Sequence, residues 1–412
     1  MSHRSRPGLY SFAFLGIALA AGFALHHTNQ VQAAGPIEPA HGSYRVLAPI
    51  ESGNLLLFPV VESGRMPASP FITLDEGIKA GSVEVTEAGR VGGLVRPRPS
   101  QGPFNDGVAH PVPQPQIYRG DQVNTLVLVN NSNKPLLLLA GEIVTGGKQD
   151  RVIAKDRIVP AGSDPIDLNV FCIEPGRWTE ATPVFGASAK TPAASLMVQP
   201  SVRARAMVDK SQQEVWDSVH GAIGGALAAP APVPPGVARS SSTTVSVDSL
   251  GTTSYARAMQ NSAVSAKVDD AAAPVMKSRE LVLEKLREQH AVGVVVAVRG
   301  EIVWADIFSD TDLLARYWTK LVRSYAAESL LEGETHAAPT IADAQHFLDA
   351  PTGGTETSIG DVGVYRYREL RSNAAETFVL ESLLPGTDYD VHISKVKLRG
   401  EVQRIRGPLV YR

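Results

Sequence analysis

With 412 residues, 43% of them hydrophobic and 20% charged, the chain has material for a substantial core and for two or three domains. A formal net charge of −3 and the lack of any long Lys/Arg run argue against a nucleic-acid surface. The single cysteine, Cys172, excludes an internal disulfide, so stability must come from packing.

The N-terminus has the form of an export signal. Arg4 and Arg6 precede the apolar run Phe12–Leu25, and Val31-Gln32-Ala33-Ala34 supplies small residues for cleavage. The run falls short of the ~20 apolar residues of a comfortable membrane span, so cleavage near Ala34 or Gly35 is expected, with residues 1–34 removed. No cysteine lies beside that point to carry a lipid, and Arg4 and Arg6 are not adjacent, against twin-arginine export. The expected location is periplasmic or extracellular, with no stable transmembrane span afterwards.

The main domain is expected to begin with residues 45–223. Asn54–Val61 and Ser82–Glu87 read as strands, and Thr73 or Asp75 starts a short helix that ends at Gly81. Six prolines between Gly92 and Asp121 deny backbone donors to a ladder and place that stretch in a surface loop. Val123–Val129 and Leu136–Val144 read as a hairpin across Asn130–Pro135. Leu136–Leu139 does not alternate with polar residues, which predicts burial on both faces. Arg151–Val159 and Ile166–Ile173 continue the sheet. Cys172, between Phe171 and Ile173, reads as a buried, inert thiol. Ser211 and Glu214 form a capping-box pattern ahead of Val215, Val219 and Ile223.

Residues 224–274 are rich in Ala, Pro, Ser and Thr and read as a flexible linker. A second segment of the main domain, 275–349, carries a helix near Val275–His290 and a hairpin turned at Gly300-Glu301. A capped helix from Asp310 or Thr311 to about Leu331 follows, then a short one at Ile341–Leu348. Strands at Val362–Glu369, Glu376–Leu383 and Tyr389–Leu398 make a C-terminal β-rich unit, 362–412, in which His392 reads as a sheet position. The expected class is α+β, with mixed or antiparallel sheets flanked by helices.

The chemistry concentrates after the four leucines, in Glu142, Lys148, Gln149, Asp150 and Arg151, and after the next strand, in Glu174, Arg177 and Trp178. Gly141–Lys148 departs from a phosphate-binding loop, because Lys148 falls one place late and Gln149 stands where a hydroxyl is needed. No mature-chain histidines have metal-ligand spacing, no catalytic residue is assignable, and nothing calls for a cofactor. The polar set has three readings: an internal salt-bridge network, a ligand site, or a pair of carboxylates, Glu142 and Asp150, for hydrolysis. An envelope protein or a small molecule is the expected partner.

LLLLAGEIVTGGKQDR, FCIEPGRW, SQQEVW and VVVAVRGEIVWADIF together resemble a bacterial family, the ARG and rhodanese-phosphatase-superfamily-associated protein domain. The resemblance covers about Asn54–Leu331 and leaves the strand-rich tail outside. It implies association with other domains and carries over no catalytic residue.

Overall fold

In the computed structural model, the apolar runs of the sequence become strands of three sheets in an α+β arrangement. It describes residues 44–63, 69–90, 95, 125–176, 184–186, 196–229, 250–277, 279–352 and 354–398, all within one unit of the chain. The signal-like N-terminus and nearly all of the proline-rich stretch lie outside the described residues.

The first elements are β1 (Tyr44–Val46), β2 (Ile50–Ser52), β3 (Leu55–Glu62) and β4 (Ile72–Thr73), which runs directly into α1 (Leu74–Lys79). Thr73 closes a full capping box there: its hydroxyl accepts from the Glu76 N–H, and the Glu76 carboxylate accepts from the Thr73 N–H. Next come β5 (Val83–Glu87), β6 (Thr125–Asn130), β7 (Leu136–Leu138), β8 (Ile143–Val144), β9 (Arg151–Ile153), β10 (Arg157–Val159), β11 (Ile166–Cys172) and β12 (Val184–Phe185). A helical stretch follows with α2 (Pro200–Ala204), α3 (Gln212–Ala228), α4 (Tyr255–Gln260), α5 (Ser262–Met276) and α6 (Arg279–Glu288). The chain then forms β13 (Ala291–Val298), β14 (Glu301–Phe308), α7 (Thr311–Ser329) and α8 (Ile341–Asp349). It finishes with β15 (Thr355–Asp361), β16 (Tyr365–Arg371), β17 (Ala375–Ser382) and β18 (Asp390–Lys397).

The largest sheet has nine strands in the order β1-β3-β13-β14-β18-β17-β16-β15, with β2 also on β3. β3 and β13 are buried along their whole length, because helices cover the sheet on both sides. One face, with Leu57, Val296, Trp304 and Phe378, packs with α3, α5 and α7. The other, with Phe58, Val295 and Ala305, meets Ala344 of α8. Continuous Val/Ala/Leu runs without polar alternation are what a doubly covered strand requires. The β13–β14 hairpin turns through Arg299 and Gly300, both at positive φ (52° and 78°), the geometry of a tight two-residue loop. The C-terminal strands extend this sheet, with β18 between β14 and β17; β15 extends the predicted unit toward the N-terminus.

A six-stranded sheet runs β12-β5-β6-β11-β9-β8, and a three-stranded one β10-β7-β4. The Gly186 N–H donates to Thr145 O at 2.7 Å, drawing the two edges of the six-stranded sheet together at one end. Here the expected β6–β7 hairpin does not form. β6 pairs with β5 and β11, while β7 pairs with β10 and β4. The leucine run explains why. Leu136 and Leu138 enter one core and Leu137 and Leu139 another, so the strand sits between two layers and cannot fold back flat on β6. The predicted single strand Arg151–Val159 likewise divides into β9 and β10, in different sheets.

The predicted linker is also corrected in part. α3 runs on to Ala228, and residues 255–276 form α4 and α5, whose Tyr255, Met259, Val264, Val268 and Val275 join the main core. Alanine is the strongest helix former and lets helices approach closely, so an Ala-rich stretch with a few large apolar residues packs well. Residues 230–249 lie outside the described residues. At the start of α3, Ser211 caps the Glu214 N–H, but the reciprocal half of the box is missing and Glu214 stands 3.7 Å from Arg205. No described helix is long and apolar enough to cross a membrane.

Candidate functional site

The sequence places Glu142 immediately after the leucine run, and the fold turns its carboxylate inward. Glu142 Oε2 accepts from the Leu139 N–H at 2.8 Å and Oε1 lies 2.6 Å from Lys320 Nζ. Lys320, on α7, also reaches Asp75 Oδ2 of α1 at 2.9 Å. One ammonium thus serves two carboxylates. Burial raises the Glu142 carboxyl above the usual range; Lys320 pulls it back and the charge of Asp75 pushes it up again. Burial works against the Lys320 ammonium, but the two acids hold it charged.

The other predicted residues gather elsewhere. Asp150 accepts from the Gly146 N–H at 3.1 Å and from the Ser254 hydroxyl at 2.6 Å, while its own N–H donates to Glu174 Oε2 at 3.2 Å. Gln149 donates to Glu174 O at 3.3 Å and accepts from the Cys172 thiol. Arg151 Nη1 donates to Gln149 O at 2.7 Å. The Lys148 N–H donates to Glu87 Oε1 at 3.0 Å. Gly147 must be glycine here, since at φ +51° a Cβ would stand 2.2 Å from the Phe185 ring. Burial pushes the Cys172 thiol up to about 11, only partly offset by Arg151, so it stays a thiol at neutral pH. Gln149, Asp150, Arg151 and Glu174 therefore meet around the lone cysteine, whereas Glu142 belongs to a separate cluster. Arg177 and Trp178 lie outside the described residues.

Glu142, Gln149, Asp150, Arg151 and Glu174 are each at most 5% exposed. Their polar contacts include one another, main chain and the side chains of Lys320, Ser254 and Cys172.

Sequence reasoning missed a third and deeper cluster. Asp306 of β14, fully buried, accepts from Arg203 Nη1 at 2.8 Å, from the Ser394 hydroxyl at 2.8 Å and from the Tyr325 hydroxyl. Arg203 Nη2 donates to Ser394 at 3.0 Å, and its guanidinium lies 4.6 Å from the Trp304 ring centre. His392 of β18 stands between two aspartates, with Nδ1 2.6 Å from Asp156 Oδ2 and Nε2 3.2 Å from Asp306 Oδ1. Asp156 also accepts from the Ala140 N–H at 2.7 Å. With His392 protonated, the row Asp156, His392, Asp306, Arg203 alternates in sign and balances. An aspartate inside the otherwise apolar strand Ile302–Phe308 was the available signal, because a buried charge needs a partner.

Burial alone would lower the His392 pKa, but the charges and hydrogen bonds of Asp156 and Asp306 outweigh it and raise the ring above its ordinary value. Burial would likewise raise Asp306, yet Arg203 and His392 hold it well below the carboxylate range. A histidine raised in the folded state contributes stability that is complete below about pH 6.5 and is lost as pH climbs through the folded pKa. The gap in unfolding free energy between wild type and His392→Gln, measured by urea titration, is therefore expected to narrow from pH 6 upward. A gap that stays constant or widens would show the ring to be neutral. The comparison must be made between variants, because buried Lys395, lowered to about 8, contributes an opposite slope at higher pH.

An open cleft of about 620 Å³ lies where α1, the turn before β7 and the α6–α7 corner meet. Phe71, Glu76, Lys134, Arg287, Asp312 and Arg316 are among its walls. None of Glu142, Lys148, Gln149, Asp150, Arg151 and Glu174 lines it.

The family model of the ARG and Rhodanese-Phosphatase-superfamily-associated Protein domain matches residues 43–396. The chain belongs to that family. The match reaches beyond the Asn54–Leu331 span of the sequence resemblance and takes in the C-terminal strands almost to the end of β18. Those strands are part of this ARG and rhodanese-phosphatase-superfamily-associated domain, consistent with β18 sitting inside its largest sheet. Comparison with curated proteins and with solved structures gave no match.

Proposed function

We propose that this chain is an exported, non-enzymatic envelope module that binds a partner or small ligand. Support for export comes from the charged, apolar and small-residue order of residues 1–34. The observation that carries the non-enzymatic reading is the enclosure of Glu142 and Asp150, the two carboxylates a hydrolase of envelope peptides or glycans would use. Each is saturated by internal donors, Glu142 by Lys320 and the Leu139 N–H, Asp150 by Ser254 and the Gly146 N–H. General acid or base work needs a carboxyl within reach of substrate, and neither lines the described cleft.

The test is to incubate the purified full-length chain with peptidoglycan fragments and envelope peptides and to follow product formation, with Glu142→Gln and Asp150→Asn alongside. No turnover by any of the three is expected. Turnover by the wild type that vanishes in a variant still folded by circular dichroism would replace this reading with the hydrolase.

A further inference from the structure

We propose that the cleft between α1, the turn before β7 and the α6–α7 corner binds a small organic oxyanion, a phosphate- or carboxylate-bearing molecule with a polar body. This rests on the binding-module reading and gives it a site and a ligand class. Three observations carry it: the unspent donors on the walls, the excess of cations and the size of the space.

Arg316 is fixed from one side only. Its Nη1 donates to Phe71 O at 2.6 Å and to Glu76 Oε2 at 3.2 Å, and among the described residues Nη2 and Nε have no partner. The guanidinium is thereby held as a planar fork with one edge still open, the form that suits an oxyanion. Arg287 touches Asp312 through Nε alone, at 3.5 Å, and its terminal nitrogens are likewise open among the described residues. Lys134 has its main chain held by Asn130 and Ser132, while its ammonium meets no acceptor among the described residues. Next to it the Asn133 amide is also unspent.

The wall thus presents three cations, Lys134, Arg287 and Arg316, against two carboxylates, Glu76 and Asp312, both engaged in ion pairs. Open donors outnumber open acceptors. A ligand that supplies oxygens carrying negative charge satisfies them, and a cationic one does not. The volume, about 620 Å³, lies in the range of small-molecule sites and exceeds what a bare inorganic ion fills. The walls come from four separate stretches of chain and are fastened by the Thr73–Glu76 capping box and the Arg316 bonds. The cleft is therefore preformed, which spares the ordering cost of binding.

The experiment is calorimetric titration of the full-length chain at about 150 mM salt, where loose surface attraction is screened. The probes are glucose 6-phosphate, citrate and uncharged glucose. Binding of glucose 6-phosphate or citrate without binding of glucose is expected, and which anion binds distinguishes phosphate from carboxylate recognition. Arg316 also supports Phe71, so the deciding variant is Lys134→Gln with Arg287→Gln; both side chains are exposed, and the change gives up only the long surface contact of Arg287 with Asp312, which is worth little to stability. It is expected to weaken binding by roughly tenfold or more, a loss of about 1.4 kcal/mol, with an unchanged melting temperature. Absence of binding by both anions, binding of glucose as strong as theirs, or affinity unaltered in the double variant would overturn the assignment. None of these outcomes bears on turnover, and turnover by the wild type would overturn the non-enzymatic reading while leaving this site intact.

Discussion

Arg203→Met is expected to cost about 3–5 kcal/mol of stability, seen as a fall in the urea midpoint at unchanged slope. Arg203 is almost wholly enclosed, so the loss has little to do with a surface ion pair, which is typically worth under about 1 kcal/mol. What matters is the group left behind. Asp306 would keep Ser394, Tyr325 and His392 but lose the cation that balances it. The alternating row would then carry two aspartates on one histidine. Removing one member of a buried pair costs far more than removing both. Arg203→Met with Asp306→Asn should therefore be more stable than the sum of the two single effects, because charge balance returns. Simple additivity of the two losses would mean that the network is not energetically coupled. The surroundings leave little room for relaxation. Gly141, at φ +92°, admits the arginine stem so closely that a Cβ there would sit 2.9 Å from Arg203 Cδ.

Lys320→Met should be nearly as damaging, by about 3 kcal/mol or more at neutral pH. Among the described residues the lysine is the cation that pairs with both Glu142 and Asp75, and Glu142 is fully buried. The deficit should depend on pH, and the direction is fixed. Burial and Asp75 already raise the Glu142 carboxyl in the wild type, and without Lys320 it rises further. An acid raised in the folded state contributes stability at low pH that is lost as pH rises through its folded pKa. The melting temperature of Lys320→Met should therefore approach that of wild type near pH 5 and fall away by pH 8. An equal deficit at both values would show that the methionine repairs the site by packing alone. Glu142→Gln should cost less, since Lys320 keeps Asp75 and the amide oxygen can still accept from Leu139.

Much of the fold was legible locally. The Thr73 and Asp310 caps and the continuous apolar strand β13 each depend on neighbours in sequence, and each formed as its pattern implies; the β13–β14 hairpin also formed, but it turns at Arg299-Gly300, one residue before the expected Gly300-Glu301. The buried, inert state of Cys172 was legible for the same reason, from the apolar residues on either side of it. Reading failed where the pattern was ambiguous between partners. Leu136–Leu139 could not announce that its two faces belong to different cores, and an Ala/Ser-rich stretch looked like a tether although it contains two helices. The candidate site was half legible. Gln149, Asp150 and Arg151 did come together with Glu174, but Glu142 left them for Lys320.

By itself, then, the sequence determined the caps, the tight turns, the apolar strands and the residues that must hide their charge, because these follow from interactions over a few residues. Only the tertiary structure decided how those charges are matched. Glu142 finds Lys320 178 positions away, and Asp156 finds His392 236 positions away. A charge specifies the sign of its partner and the need to be dry, but not which distant strand or helix delivers that partner; packing of the whole sheet makes that choice.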